Sequence, residues 1–171
     1  SRPWASAKAS RLGSSSDGSA IRVASMRTRR AVPNRSSRFA AATNFPVGLV
    51  PRSVALADLN ADGKLDAVTA NSGNQTVSVL LGDGLGGFAS AVSFSVGTSP
   101  NCVAIGDVNA DGKPDLAVAN SFSQNVSVLL GDGTGSFAPA TSFGVGDTPV
   151  WVAIGDLNGD GKPDLAAANN L

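Results

Sequence analysis

A nine-residue cluster rich in Asp, Asn and Gly occurs three times in this chain at a fixed interval. The copies span residues 58–66, 107–115 and 156–164, and their first residues stand 49 positions apart both times. A period of about 20 to 50 residues is typical of solenoids, propellers and other arrays, in which neighbouring units bury one another's apolar faces. The spacing therefore favours a repeat architecture, and the function has to be interpreted unit by unit.

The repeat extends well beyond the clusters and divides the chain into units. Residues 39–87 match residues 88–136 at 29 of 49 positions, and residues 88–122 match 137–171 at 23 of 35. We therefore assign two full units, 39–87 and 88–136, and a third, incomplete unit, 137–171.

The apolar pattern inside a unit predicts four short strands. In the first full unit they fall near residues 54–57, 65–68 and 77–81, with the fourth at 88–96 just beyond the unit boundary. These segments are too short for helices and are separated by turn residues. Four strands in about 40 to 50 residues form the sequence pattern of a propeller blade. The expected fold is all-β, a partial β-propeller built from four-stranded antiparallel blades.

Residues 1–38 differ from the repeats in composition. They contain ten Ser and nine Lys or Arg against one acidic residue, Asp17, and show no periodicity. Such a composition predicts a disordered basic leader. It has no interleaved aromatic residues that would favour nucleic-acid binding, and no signal peptide or membrane-spanning apolar run is visible in the chain.

The residue types of the cluster favour calcium. Calcium takes six to eight oxygen ligands, and alternate positions of a tight loop can turn several oxygens toward one point. Positions 1, 3, 5 and 9 would offer side-chain oxygens, position 7 would offer its backbone carbonyl, and Gly63 at position 6 predicts a positive φ. The predicted ligands are Asp58, Asn60, Asp62, Lys64 and Asp66; Asp107, Asn109, Asp111, Lys113 and Asp115; and Asp156, Asn158, Asp160, Lys162 and Asp164.

Two other kinds of metal site are excluded by the sequence, and one explanation without metal has to be weighed against calcium. Zinc is excluded because the chain has no His and a single Cys. An EF-hand needs Glu at position 12, where the three copies have Thr69, Val118 and Ala167. The alternative is that each cluster is a turn whose side chains bond to their own backbone. Three carboxylates crowded without a cation would repel one another, which favours the metal.

These motifs resemble the FG-GAP/VCBS repeat, which forms the blades of the integrin α-chain propeller. The resemblance covers residues 39–171 and includes the three clusters, the glycine-rich turns at 80–88 and 129–137, and the Phe143-Gly144 pair. It implies a calcium loop that joins the first two strands of a blade and stabilises one face of the propeller. It also implies ligands on the opposite face and an extracellular or cell-surface location. Because propellers close with about 4 to 8 blades, the chain is expected to be a fragment.

The expected function is that of an extracellular binding or adhesion module with structural calcium. The chain has few candidate catalytic groups. It has no His for a Ser-His or Cys-His pair, and Cys102 aligns with Ser53 and Trp151 at positions expected to pack. The chain is therefore not expected to be an enzyme. The alternative is a non-catalytic propeller arm of a larger secreted enzyme.

A partner is expected on the face opposite the calcium loops, where the units diverge most. Arg52, Phe122 and Trp151 lie in these divergent loops and are the candidate contacts for a protein or carbohydrate ligand. An open arc of blades would also expose unpaired strand edges, so either the natural protein has more blades or this chain self-associates through these edges.

Overall fold

The computed structural model of the protein describes residues 19–23 and 42–170, and these residues form twelve β-strands. No helix that could span a membrane occurs among them. The strands are β1 Ala20–Val23, β2 Thr43–Pro46, β3 Pro51–Ala57, β4 Asp66–Asn71, β5 Thr76–Leu80, β6 Val92–Ser95, β7 Pro100–Gly106, β8 Asp115–Asn120, β9 Asn125–Leu129, β10 Thr141–Gly144, β11 Pro149–Gly155 and β12 Asp164–Asn169.

The strands form four antiparallel sheets in chain order. Two sheets are complete and four-stranded, in the order β3-β4-β5-β6 and β7-β8-β9-β10. Two are two-stranded, β1-β2 before the complete sheets and β11-β12 after them. The expected all-β fold of four-stranded antiparallel blades is confirmed, and its incomplete ends make it a partial propeller.

The sheets are out of phase with the units of the sequence. The second unit begins at residue 88, yet β6 at Val92–Ser95 is the last strand of the sheet that starts in the first unit. In the same way β10 lies in the third unit and pairs with β9 of the second. Each complete blade therefore takes its outermost strand from the unit that follows.

The predicted disorder of residues 1–38 is wrong for Ala20–Val23, which form β1. This strand pairs along its whole length with β2, and Ile21 is buried against Ala67 and Leu80 of the first complete blade. The apolar residues Ile21 and Val23 alternate with Ala20 and Arg22, so one face of the strand can be buried. Apart from Ser19, the rest of the expected leader, residues 1–18 and 24–38, lies outside the described residues.

Successive sheets pack face to face, with their first strands side by side. Strand β7 lies against β3 and β4, and β11 lies against β7 and β8. Ser53 on β3 accepts a hydrogen bond at 3.0 Å from the backbone N–H of Val103 on β7. The largest core cluster fills the space between the two complete blades, where Val68 and Val77 of one meet Leu116 and Leu129 of the other. Burial is thus shared between neighbouring blades, as the repeat spacing predicts.

We expect Leu116→Ala to lower the free energy of unfolding by about 2 to 5 kcal/mol, because it leaves a cavity between two blades. Leu85 is the matched control, since it is 90% exposed and its replacement by Ala should cost less than about 0.5 kcal/mol. Urea unfolding measures both. Equal effects of the two substitutions would contradict the shared core.

Candidate metal-binding loops

The three clusters form equivalent loops between the first two strands of their sheets. They connect β3 to β4, β7 to β8 and β11 to β12. All fifteen predicted ligand residues lie in these loops, and the ninth residue of each cluster is the first residue of the following strand. The prediction that each loop lies at a strand-to-strand turn is therefore correct in position.

The carboxylates and amides of positions 1, 3 and 5 bond to the backbone of their own loop. In the first copy, Asp58 accepts hydrogen bonds from the N–H groups of Asp62 at 3.2 Å and Gly63 at 2.8 Å. Asn60 Oδ1 accepts from Asp62 N at 3.2 Å, and Asp62 Oδ1 accepts from Lys64 N at 2.9 Å. These bonds fold the loop back on itself in the manner of successive Asx turns.

The other two copies repeat this network with small changes. Asp107 and Asp156 accept from the N–H of Gly112 and Gly161 at 2.8 and 2.9 Å. In the second loop, the N–H of Asp111 donates to Asp107 and Asn109, and the N–H of Lys113 donates to Asp111. In the third loop, the N–H of Asp160 donates to Asn158, and the N–H of Lys162 donates to Asp160. The similarity of the three loops indicates that the sequence itself specifies the conformation.

Two backbone positions in each loop adopt positive φ. Gly63 has φ +80°, which confirms the prediction for position 6, and nothing lies within 4 Å of where a Cβ would be. Glycine is thus needed there for its conformation and not for space. Position 4 also has positive φ, +60° at Ala61 and Ala110 and +80° at Gly159. The alanines gave no sequence signal for this.

The ninth residue plays a different part from the others. Asp66 is fully buried, and its two carboxylate oxygens accept from two separate segments. Oδ2 accepts from the N–H of Leu59 at 2.8 Å, and Oδ1 accepts from the N–H of Gly82, after β5, at 2.7 Å. Hydrogen bonds to an ionised acceptor are among the stronger ones in proteins. This side chain therefore joins the loop to the end of the third strand.

Asp115 repeats this bridge, whereas Asp164 makes half of it. Asp115 is fully buried and accepts from Val108 N at 2.9 Å and Gly131 N at 2.7 Å. A Cβ on Gly131 would collide with the carbonyl oxygen of Pro114, so the approach requires glycine. Asp164 accepts from Leu157 N at 2.9 Å and lies in a sheet with no third strand among the described residues.

Two of the loop carboxylates, Asp62 and Asp156, have their charged form favoured by nearby donors. The backbone N–H of Lys64, followed by its ammonium group, lowers the pKa of Asp62 below its usual value. The N–H groups of Gly161 and Gly159 lower the pKa of Asp156. Lys64 Nζ lies 3.1 Å from Asp62 Oδ2. Ionised oxygens of this kind are the donors that a hard cation requires.

The carboxylates of each predicted ligand set share a loop, but they are not grouped closely enough to hold an ion by themselves. Across residues 19–23 and 42–170, no group of three or more acidic or other metal-binding side chains is close enough to hold an ion. The hydrogen bonds within each loop are those of a turn without metal, in which the side chains bond to their own backbone. The donor chemistry still fits a hard cation, because every side chain offered is an oxygen donor and each carboxylate oxygen has a second lone pair.

The second residue of the cluster is a core residue that the motif does not reveal. Leu59 is 1% exposed and belongs to the cluster between the complete blades. Val108 packs in the equivalent cluster after the second complete blade, while Leu157 is 70% exposed. The loop is therefore tied to the blade that follows, and Leu157 has no following blade among the described residues.

The divergent loops lie at the other end of the sheets. Ala57 and Asp66 are paired at the cluster end of β3 and β4, and Pro51 and Asn71 are paired at the opposite end. Phe122 is 78% exposed and Trp151 51% exposed at that opposite end, and Arg52 Nε donates to Ser72 Oγ at 3.2 Å. The three candidate contact residues thus lie away from the cluster loops, as predicted.

Cys102 is a packing residue. It is 2% exposed, its Sγ donates to the carbonyl of Val152 at 3.9 Å, and burial raises the pKa of its thiol. A buried thiol with a raised pKa is poorly suited to nucleophilic chemistry.

Comparison with known proteins assigns the family. The profile of the FG-GAP-like repeat matches residues 58–118 and 107–167, so that each match begins at a cluster and runs into the next one. The chain belongs to the FG-GAP-like repeat family. FG-GAP-like repeats generally form non-catalytic binding modules and are typical of extracellular proteins. No curated protein matches the chain significantly.

We expect Asp115→Asn to destabilise the chain by about 1.5 to 3 kcal/mol, since an amide can replace only one of the two charge-assisted bonds of this FG-GAP repeat. Asp164→Asn is the matched control, because its single bond can be kept by the amide oxygen. Both should be measured by urea unfolding in the presence of a chelator. A loss no larger at Asp115 than at Asp164 would show that the bridge contributes nothing.

Proposed function

We propose that this chain is part of a calcium-binding β-propeller that acts as an extracellular binding or adhesion module, with structural metal sites. The observation that carries the proposal is the similar conformation of three oxygen-rich loops, each at the turn between the first two strands of an FG-GAP blade. A loop needed only as a turn could use neutral residues such as Asn or Ser at positions 1 and 5, yet every copy has Asp at both positions.

Calcium would be held by the residues predicted from the sequence. In the second loop these are the side chains of Asp107, Asn109, Asp111 and Asp115 and the carbonyl of Lys113. Bound calcium supplies positive charge that offsets the repulsion between the carboxylates. Asp111 Oδ1 is occupied by Lys113 N, and its Oδ2 contacts only the amide of Asn109 among the described residues. Such an oxygen can turn toward a cation with little loss.

A structural role for the metal follows from where the loops are attached. Asp115 connects its loop to the end of β9, and Val108 connects it to the core beyond the second complete blade. A cation at this place would stiffen the junction between neighbouring blades. The chain has no His, so no Ser-His or Cys-His pair can lie beside the sites. The proposed role is therefore binding and not catalysis.

Partner recognition is proposed for the end of the blades opposite the cluster loops. Exposed aromatic side chains are enriched where proteins bind partners, and Phe122 is exposed on the turn between β8 and β9. Arg52 and Trp151 lie at the same end of two first strands, β3 and β11, which are separated by the first strand β7. The proposed ligand is an extracellular protein or a carbohydrate. The second candidate function, a non-catalytic arm of a larger secreted enzyme, uses the same surface.

We expect calcium at about 1 mM to raise the free energy of unfolding by roughly 0.4 to 1.4 kcal/mol for each occupied site, if the sites have the affinity of extracellular modules. Asp111→Asn should reduce this gain and should have a smaller effect in chelator. Asp132→Asn is the control, because Asp132 is an exposed turn residue that bonds to Thr134 and Ser136. Its effect should be the same in both buffers.

Unfolding in calcium, in an equal concentration of magnesium, and in chelator measures these differences. A folded chain whose stability is the same in all three solutions would contradict the calcium proposal.

We expect Phe122→Ala to abolish retention on any glycan or extracellular-matrix protein that the wild-type chain binds on an array, because it removes the most exposed aromatic group of the proposed surface. Leu85→Ala is the matched control, since Leu85 is exposed at the cluster end of the first complete blade. Loss of binding by the Leu85 variant and not by the Phe122 variant would place recognition on the other face.

A further inference from the structure

The third cluster differs from the other two at its fourth position. There Gly159 replaces Ala61 and Ala110, so that Asn158 is followed by glycine. No other asparagine in the 171 residues is followed by glycine. We propose that Asn158 is a site of spontaneous deamidation, at which a neutral amide of the third loop is converted to a carboxylate over time. This proposal goes beyond calcium binding and does not depend on it.

Deamidation of this kind begins in the backbone. The nitrogen of the residue after Asn bonds to the side-chain Cγ and loses its proton, and Nδ2 departs as ammonia, which leaves a cyclic succinimide. Water then opens the ring at one carbonyl or the other, giving aspartate or isoaspartate. One water is consumed and one ammonia is released, and neither an oxidant nor a reductant is needed. Because glycine has no Cβ, it leaves the attacking nitrogen accessible and the main chain free to rotate.

The side chain of Asn158 is folded back toward the next residue. Its Oδ1 accepts from the N–H of Asp160 at 2.9 Å, which forms an Asx turn around the intervening Gly159. The equivalent bonds at Asn60 and Asn109 measure 3.2 and 3.1 Å. Asn158 is exposed, and so is Asn109, whose loop is followed by another sheet. Exposure is therefore a property of the loop and not of its place in the array.

The attacking nitrogen lies beside a proton acceptor. The N–H of Gly159 donates to Asp156 Oδ1 at 2.7 Å. In the first two loops the equivalent oxygen accepts from position 5 instead, at 3.2 Å from Asp62 N and 3.1 Å from Asp111 N. The Asp156 carboxylate can therefore take up the proton that the nitrogen loses and pass it to water. Glycine at position 4 thus changes the hydrogen bonding of the loop as well as the space around the nitrogen.

The fold does not require glycine at this position. Gly159 has φ +80°, and Ala61 and Ala110 adopt +60° at the same place. Among the described residues, no atom lies within 4 Å of where a Cβ on Gly159 would be. Two loops tolerate the strain of an alanine at positive φ, so a third can do so. The copies therefore differ at this point mainly by a methyl group beside the attacking nitrogen.

Two other asparagines are followed by a small residue but are protected by the sheets. Asn71 and Asn120, each followed by serine, are fully buried at the ends of β4 and β8. Their Nδ2 groups donate to Ser78 and Ser127 at 2.9 Å. Burial excludes the water that opens the ring, and these bonds hold the carboxamide in place. Selectivity for Asn158 therefore follows from the sequence and the fold together.

Either product alters the third loop. The aspartate product would add a fourth carboxylate to those of Asp156, Asp160 and Asp164 and increase their repulsion. Isoaspartate would insert a carbon into the main chain between positions 3 and 4 and remove the Asx turn to Asp160. The third loop would thus change with the age of the molecule while the first two keep their structure.

The first test measures the rate of deamidation at each cluster in the intact 171-residue chain, kept in chelator at physiological temperature and mildly alkaline pH. Proteolysis and mass spectrometry locate the mass increase that accompanies replacement of NH2 by OH. An unaged sample digested in parallel corrects for deamidation during digestion. We expect Asn158 to react several-fold faster than Asn60 and Asn109, which are controls within the same molecule.

The second test exchanges the residue after asparagine between two loops. Gly159→Ala should lower the rate at Asn158 to that at Asn109, and Ala110→Gly should raise the rate at Asn109 several-fold. Both variants place at position 4 a residue that another loop of the same chain already has. Circular dichroism checks that each variant is folded.

A wild-type rate at Asn158 no higher than at Asn60 and Asn109 would overturn the proposal, and so would exchanged residues that leave both rates unchanged. The products give a further criterion, because ring opening yields isoaspartate as well as aspartate. Electron-transfer fragmentation distinguishes the two at residue 158, and aspartate alone would overturn the succinimide route. All of these rates are measured in chelator, so failure of the calcium proposal would leave them unaffected.

Discussion

A buried carboxylate that bonds two separate backbone segments is the interaction on which each blade depends. Asp66 and Asp115 have no contact with solvent, and each is stabilised in place by two backbone N–H groups. Because one donor belongs to the cluster loop and the other follows the third strand, the carboxylate fixes three strands at one end. The adjacent Leu59 then carries this order into the next blade. Loop conformation, blade geometry and packing between blades are therefore set together.

The sequence predicted the features that repeat and missed those that occur once. The period of 49 residues and the short apolar segments were enough for the four-stranded blades, and the positive φ of Gly63 followed from its place in the cluster. β1 was missed because 19 residues separate it from β2, whereas 11 separate β5 from β6 and β9 from β10. A comparison at fixed spacing cannot detect a strand whose connection has a different length.

Prediction of the cluster loops was right about place and incomplete about roles. The motif treats positions 1 and 9 as similar ligands, yet Asp58 bonds to its own exposed loop while Asp66 is buried under it. The difference arises from the glycine after the third strand, which is 16 residues away from Asp66 and outside the motif. Local residue types predict the turn and its donors. The long-range partner that makes one carboxylate a bridge is decided by the tertiary structure.

The offset between sequence units and sheets has a consequence for how such arrays change in length. Every complete blade spans a unit boundary, since β6 and β10 come from the unit after the one that supplies the rest of the sheet. A duplication or deletion of 49 residues by unequal recombination therefore leaves no sheet short of a strand, wherever in the unit the crossover falls. The same overlap means that neighbouring blades share covalent chain as well as core, and a single unit excised at its boundary would lose its outer strand.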